Sequence, residues 1–129
     1  MASAEYLPLP DAVAHLNLPF SEAVRVGDML YLSGSIGIDG TGTLVPGGIE
    51  AETRQTLANI REVLERHGSS MDRVIKVTAM LADMAEWPAM NAIYAEHFPG
   101  NRPARSAFGT TGLALGARLE LECIALVDR

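Results

Sequence analysis

The stretch Ala117-Arg118-Leu119-Glu120-Leu121-Glu122-Cys123-Ile124-Ala125-Leu126-Val127 decides how this chain folds. Its alternation puts Leu119, Leu121, Cys123, Ala125 and Val127 on one side of a strand, and Arg118, Glu120, Glu122, Ile124 and Leu126 on the other. Both sides carry apolar residues, so the strand belongs to a sheet covered by helices on one face and in need of a cover on the second. Working outward, Val74 to Leu81 also alternates, with Ile75, Val77, Ala79 and Leu81 making one wholly apolar face. Ala104 to Thr110 reads as a further strand, joined to the last by a loop around Gly112 and Gly116. Near the start, Ala23 to Val26 and Met29 to Ser33 form a hairpin about the turn dipeptide Gly27-Asp28. Ile36 to Ile38 is followed by a loop rich in glycine and rigid turn residues, from Asp39 to Gly48.

Two helices separate these strands. Ile49, Thr53, Leu57, Ile60 and Leu64 recur at three- and four-residue steps and predict an amphipathic helix from Ile49 to His67, stopped by Gly68. Trp87, Met90, Ile93, Tyr94 and His97 predict a second between Glu86 and Phe98, with Pro88 tolerated in its first turn and Trp87 and Tyr94 read as core. The order ββ(β)αβαββ predicts one α+β domain over residues 1–129, with residues 1–18 as its N-terminal extension and both helices on one face of a mixed sheet. Such a chain covers its bare sheet face by associating with copies of itself.

Composition excludes several classes. With 10 basic against 16 acidic residues and a net charge of −6, and with no basic stripe, the chain is unsuited to a nucleic-acid partner. No apolar run reaches the ~18 residues that cross a bilayer, and the first twenty residues lack a secretory pattern, so a cytoplasmic protein without a membrane partner is expected. A single cysteine, Cys123, on the apolar strand face, reads as an inert core thiol. His15, His67 and His97 share no ligand spacing, and no metal site or cofactor is expected.

Arg105, inside Arg102-Pro103-Ala104-Arg105-Ser106, is the strongest candidate for chemistry. Its guanidinium is a planar fork that matches a carboxylate two bonds at a time, and Pro103 stiffens the approach to its strand. Spacing alone favours the plainer reading, an ion pair with Glu120 or Glu122.

The C-terminal series Asn91-Ala92-Ile93-Tyr94, Phe98-Pro99-Gly100, Arg102-Pro103-Ala104-Arg105-Ser106 and Gly116 to Ala125 resembles the RidA/YjgF family of small trimeric imine and enamine deaminases. Pro19 to Val24, Gly27 to Gly34 and Glu52 to Ile60 extend the resemblance from Pro19 to Val127. It implies a chorismate-mutase-like domain with a mixed six-stranded sheet, a homotrimer around a central β-barrel, and clefts at subunit boundaries. It also implies hydrolysis of 2-imino or 2-enamino acids to 2-keto acids and ammonia. In that reaction Arg105 binds the substrate carboxylate and Glu120 orients water, while Phe20, Ser33, Gly34, Asn91, Tyr94 and Ala107 line the site. Where deaminating members often have tyrosine, glutamine and cysteine, this chain has Phe20, Ser35 and Ala107, which implies a less polar substrate. Two rival functions stand beside this one: a non-catalytic receptor for keto acids or other small carboxylates, and, against the charge, an endoribonuclease.

Overall fold

The computed structural model describes residues 3–127, so the single-domain reading of 1–129 extends at residues 1, 2, 128 and 129 outside the described residues. In chain order the elements are β1 (Ala4–Leu7), α1 (Asp11–Ala14), β2 (Ala23–Val26), β3 (Met29–Leu32), β4 (Ser35–Ile36), α2 (Gly48–Arg66), β5 (Val74–Leu81), α3 (Trp87–His97), β6 (Ala104–Gly109) and β7 (Leu119–Leu126). The strands form one mixed sheet in the order β1-β2-β3-β7-β5-β6. The two-residue β4 also pairs with β7, which makes seven strands where six were expected. Among the described strands only β5 and β6 run parallel.

The hairpin closes at Gly27, whose φ of 59° suits a residue without a β-carbon. Periodicity located α2 because its repeat is its buried stripe: Ile49, Thr53, Leu57, Ile60 and Leu64 all face the core. After α2, Gly68 turns left-handed at φ 80° and Ser69 donates back to the Leu64 carbonyl at 2.8 Å, a glycine helix stop. Both long helices pack together, and α2 lies against β7. The core beneath them holds Leu30, Leu57, Leu81, Met90, Leu119 and Leu121, all essentially sealed from solvent.

The last strand keeps its expected alternation, with Leu119, Leu121, Cys123 and Ala125 buried under the helices. Two other expectations are corrected. In β5 the apolar face does not include Ile75. The pairing to β7 slips between Val74 and Lys76, so Val74 turns inward and Ile75 outward, as a bulge requires. Trp87 is not core: it stands at the first turn of α3, 40% exposed, whereas Tyr94 is buried. In the N-terminal segment β1 pairs with β2 along the sheet edge, and α1 adds one helical turn.

Register shows what the helix-free face carries. Tyr6, Val24, Tyr31, Ile124, Lys76 and Ala104 lie in one cross-strand row on it, and Glu120, Met80 and Phe108 in another.

Candidate active site

The first cluster forms where β6, the last strand of the sheet, meets α3. Arg105 is in register with Val77, a core residue, so it stands on the helix-covered face. There its guanidinium carbon lies 4.7 Å from the Tyr94 ring centroid and 5.8 Å from that of Trp87, with Nη1 4.0 Å from Met90 Sδ. Aromatic faces attract a cation while leaving its N–H donors free for another acceptor. Among the described residues no carboxylate forms an ion pair with Arg105, which removes the Glu120 and Glu122 pairings that spacing permitted.

Beside it are polar atoms without partners. The buried Tyr94 hydroxyl makes no hydrogen bond, and burial pushes its pKa up to about 12 although the Arg105 charge pulls the other way. Asn91 Oδ1, buried in a residue that is otherwise part-exposed, has no partner among the described residues either. Orphaned buried groups of this kind are costly and point to an absent ligand or water. Ala107 lies two residues along β6 on the same face as Arg105, half-buried against the core.

The second cluster lies on the other side of the sheet. Glu120 is opposite Ile36 on β4 and Met80 on β5, and so faces away from α2 and α3. Its carboxylate rests on Gly34, where a β-carbon would overlap Glu120 Oε2. Burial first, and the Glu122 charge second, raise the Glu120 pKa above the usual carboxylate range. Ser33 donates its hydroxyl to the Ser21 carbonyl at 2.6 Å, tying the segment that carries Phe20 to the end of β3. Phe20 itself is 50% exposed. Of the residues expected at the site, the chain therefore brings together Arg105, Tyr94, Asn91 and Ala107 on β6 and α3. It gathers Phe20, Ser33, Gly34 and Glu120 around the β3–β4 junction, and it keeps the two groups on opposite faces.

Neighbouring charges are structural by their contacts. Glu22, only 8% exposed, accepts from Arg66 Nη2 at 2.6 Å and from Arg66 Nε at 3.2 Å, and lies 2.7 Å from His67 Nε2. Its main chain bonds to Leu7 and Ser33, so this buried carboxylate anchors the Phe20 segment to the end of α2. Sequence reasoning missed it, because nothing local links Glu22 to residues 66 and 67. Arg118 pairs with Glu86 at 2.6 Å and donates its backbone N–H to buried Glu52 at 2.8 Å. Burial pushes the Cys123 thiol up to about 12, in keeping with an inert thiol. Among the described residues no three His, Cys, Asp or Glu side chains gather as metal ligands, and no helix is long and apolar enough to cross a membrane.

Fold and site together define a small α+β protein with an anion-receptive guanidinium at one sheet end and a shielded carboxylate on the opposite face. The family described as Endoribonuclease L-PSP matches residues 11–127, and the chain belongs to that family, the RidA/YjgF group. It is 42% identical over 109 residues to mouse 2-iminobutanoate/2-iminopropanoate deaminase, covering 84% of this chain and 81% of that one. The human protein of the same name is 40% identical over 84% of this chain and 80% of its own. Among solved structures, a Yersinia pestis protein of the conserved Rid family superposes with a TM-score of 0.87 at 36% identity, covering 97% of this chain and all of that one. Yeast Mmf1 superposes with a TM-score of 0.86 at 30% identity, covering 98% of this chain and all of that one.

Proposed function

We propose that the protein hydrolyses 2-imino and 2-enamino acids to 2-keto acids and ammonia. The observation that carries this reading is Arg105: a guanidinium held by Tyr94, Trp87 and Met90, free of carboxylate partners among the described residues, with two orphaned polar groups on the adjacent helix. The names of the mouse and human relatives support the same reaction.

A 2-imino acid is already electrophilic at its imine carbon. Catalysis mainly requires holding the carboxylate, placing a water and letting the amine depart. Arg105 binds the carboxylate through its fork, and the Tyr94 hydroxyl and Asn91 Oδ1 supply further hydrogen bonds. Glu120, ionised, accepts a proton from water as the oxygen adds to the imine carbon. With the imine protonated on nitrogen this addition gives a neutral carbinolamine; Glu120 returns its proton to that nitrogen, the C–N bond breaks, and the hydroxyl proton departs with the ammonia as ammonium as the carbonyl forms. Gly34 keeps its backbone close to the reacting atoms because it has no β-carbon, with Ser33 fixing the turn before it. Phe20 and Ala107 contribute apolar surface. No step calls for a metal or cofactor.

Arg105 and Glu120 stand on opposite faces of one sheet, so the reading joins the Arg105 cluster of one protomer to the Glu120 cluster of another. Three copies packed through their helix-free faces around a central barrel, with a cleft at each boundary, meet that demand and cover the exposed Tyr31 and Phe108. A cytoplasmic setting belongs to the same proposal. The endoribonuclease activity named in the family description does not, since a chain of net charge −6 offers RNA no basic track.

The test is ammonia and keto-acid release from freshly generated 2-aminoacrylate and from a larger imino acid. Arg105→Ala is expected to lower kcat/KM by roughly tenfold to a hundredfold, the range for losing a charge-assisted hydrogen bond. Unchanged hydrolysis in the variant would remove the assignment, and ligand binding without turnover by the native protein would favour the keto-acid receptor.

A further inference from the structure

Trp87 takes no chemical step in the reaction above beyond flanking the Arg105 guanidinium, yet its position is unusual. It opens α3 beside the Arg105 guanidinium and is the chain's single tryptophan, 40% exposed. Three residues earlier, on the same side of the tight turn that leads into α3, Met84 is 43% exposed. Met84 fits over Gly109, where a β-carbon would come within 3.0 Å of its Cγ. Arg105, Ala107 and Gly109 are alternate residues of β6 and share the face that looks toward α3. Together they make a short trough at the end of the sheet. The guanidinium lies at one end, Met84 over Gly109 closes the other, the Ala107 methyl is the floor, and the indole flanks the Arg105 end.

A carboxylate seated on Arg105 directs the rest of its molecule along this trough. A methyl substituent would leave the indole and thioether in water. A branched side chain of leucine size would lie against the indole and extend toward the thioether, and the floor is low because position 107 is alanine. Resting on Arg105 as the carboxylate seat, we propose that Trp87, Ala107 and Met84 form a side-chain subsite that selects 2-imino acids, and the 2-oxo acids they yield, with branched apolar substituents over those with a methyl group.

Trp87, having no tryptophan to mask it, reports its own occupancy. The experiment titrates the native protein with pyruvate and with 4-methyl-2-oxopentanoate while reading indole fluorescence. The branched acid is expected to shift the emission and to bind about tenfold more tightly, since each buried methylene is worth roughly fourfold and this trough is walled on only part of its circumference. Ala107→Leu, which raises the floor and keeps the fluorophore, is expected to cost the branched acid at least about fivefold more than pyruvate. Met84→Asp, at an exposed position, gives the same comparison should Ala107→Leu not fold. Equal affinities in the native protein, or an affinity ratio unmoved by the variants, would overturn the subsite. Because the titration needs no turnover, its failure differs from failure of the deaminase reading. Imine hydrolysis with equal affinities keeps the reaction and removes the subsite; selective binding without hydrolysis keeps the subsite and removes the reaction.

Discussion

Glu120 is held where ionisation is unfavourable, against Gly34 and on the same strand face as Glu122, and its pKa is raised by burial first and by that neighbouring charge second. A carboxyl whose folded pKa lies above its unfolded value adds stability that is fully present below the unfolded pKa and is lost as pH rises through the folded one. Near neutral pH the ionised form is therefore a net cost, and a neutral isostere should recover it. Glu120→Gln is expected to melt at or above the native temperature while losing most imine hydrolysis, which calorimetry and the ammonia assay together would check; a lowered Tm with activity intact would contradict both roles. The same sign governs the pH profile. Turnover that needs ionised Glu120 falls on the acid side at a pH above the usual carboxylate range, and Glu122→Gln, by removing the second cause of the shift, moves that limb to lower pH. Arg105 shows the opposite strategy at the scale of one side chain. Its charge is stabilised by the faces of Tyr94 and Trp87, which leaves its directed donors for a ligand.

At the scale of elements, two glycines three residues apart serve different ends. A β-carbon on Gly34 meets the far end of the Glu120 side chain, which can swing aside, whereas one on Gly37 comes within 2.9 Å of the Glu52 Cα and carbonyl oxygen, part of the α2 backbone. Gly34→Ala is accordingly expected to lower turnover with little change in melting. Gly37→Ala is expected to destabilise by roughly 1–3 kcal/mol, as overpacking against fixed backbone does. Thermal melts paired with single-turnover assays would distinguish them, and equal effects on both measures in both variants would undo the distinction. What the sequence made legible at this scale follows from locality. The period of α2 and the alternation of β7 are each set by one buried stripe, so both were readable. The outward turn of Ile75 was not, because a bulge depends on the partner strand β7, and the pairing of β1 depends on β2, sixteen residues beyond its end. The exposure of Trp87 was hidden for a related reason: helical spacing puts it in the stripe of Met90 and Tyr94, but as the first residue of α3 it projects past the sheet. Family resemblance singled out Arg105 and Glu120 in the sequence, whereas their separation by the sheet needed the register of β6 against β5 and of β7 against β4.

The whole molecule presents one covered face and one face with Tyr31, Met80 and Phe108 turned outward, with the Arg105 cluster on the first and the Glu120 cluster on the second. If the Arg105 cluster of one copy completes the Glu120 cluster of the next, a variant lacking either residue is inactive alone but still carries an intact half. Arg105→Ala and Glu120→Ala protomers, produced together with different tags and isolated as mixed assemblies, then contain some boundaries with Arg105 from one subunit and Glu120 from its neighbour. In a closed ring of three, every assembly that contains both variants has one boundary of its three with both native halves, so about a third of the native activity should return. Each variant assembled only with itself should stay inactive. A site built within one protomer predicts no recovery at any mixing ratio, because every protomer then carries a defect. Light scattering on the same samples fixes the assembly: a stable monomer would remove the shared-site reading even where single variants lose activity. Recovery near one third, confined to the mixed assemblies, would require that the sheet's two faces act on one substrate from neighbouring chains.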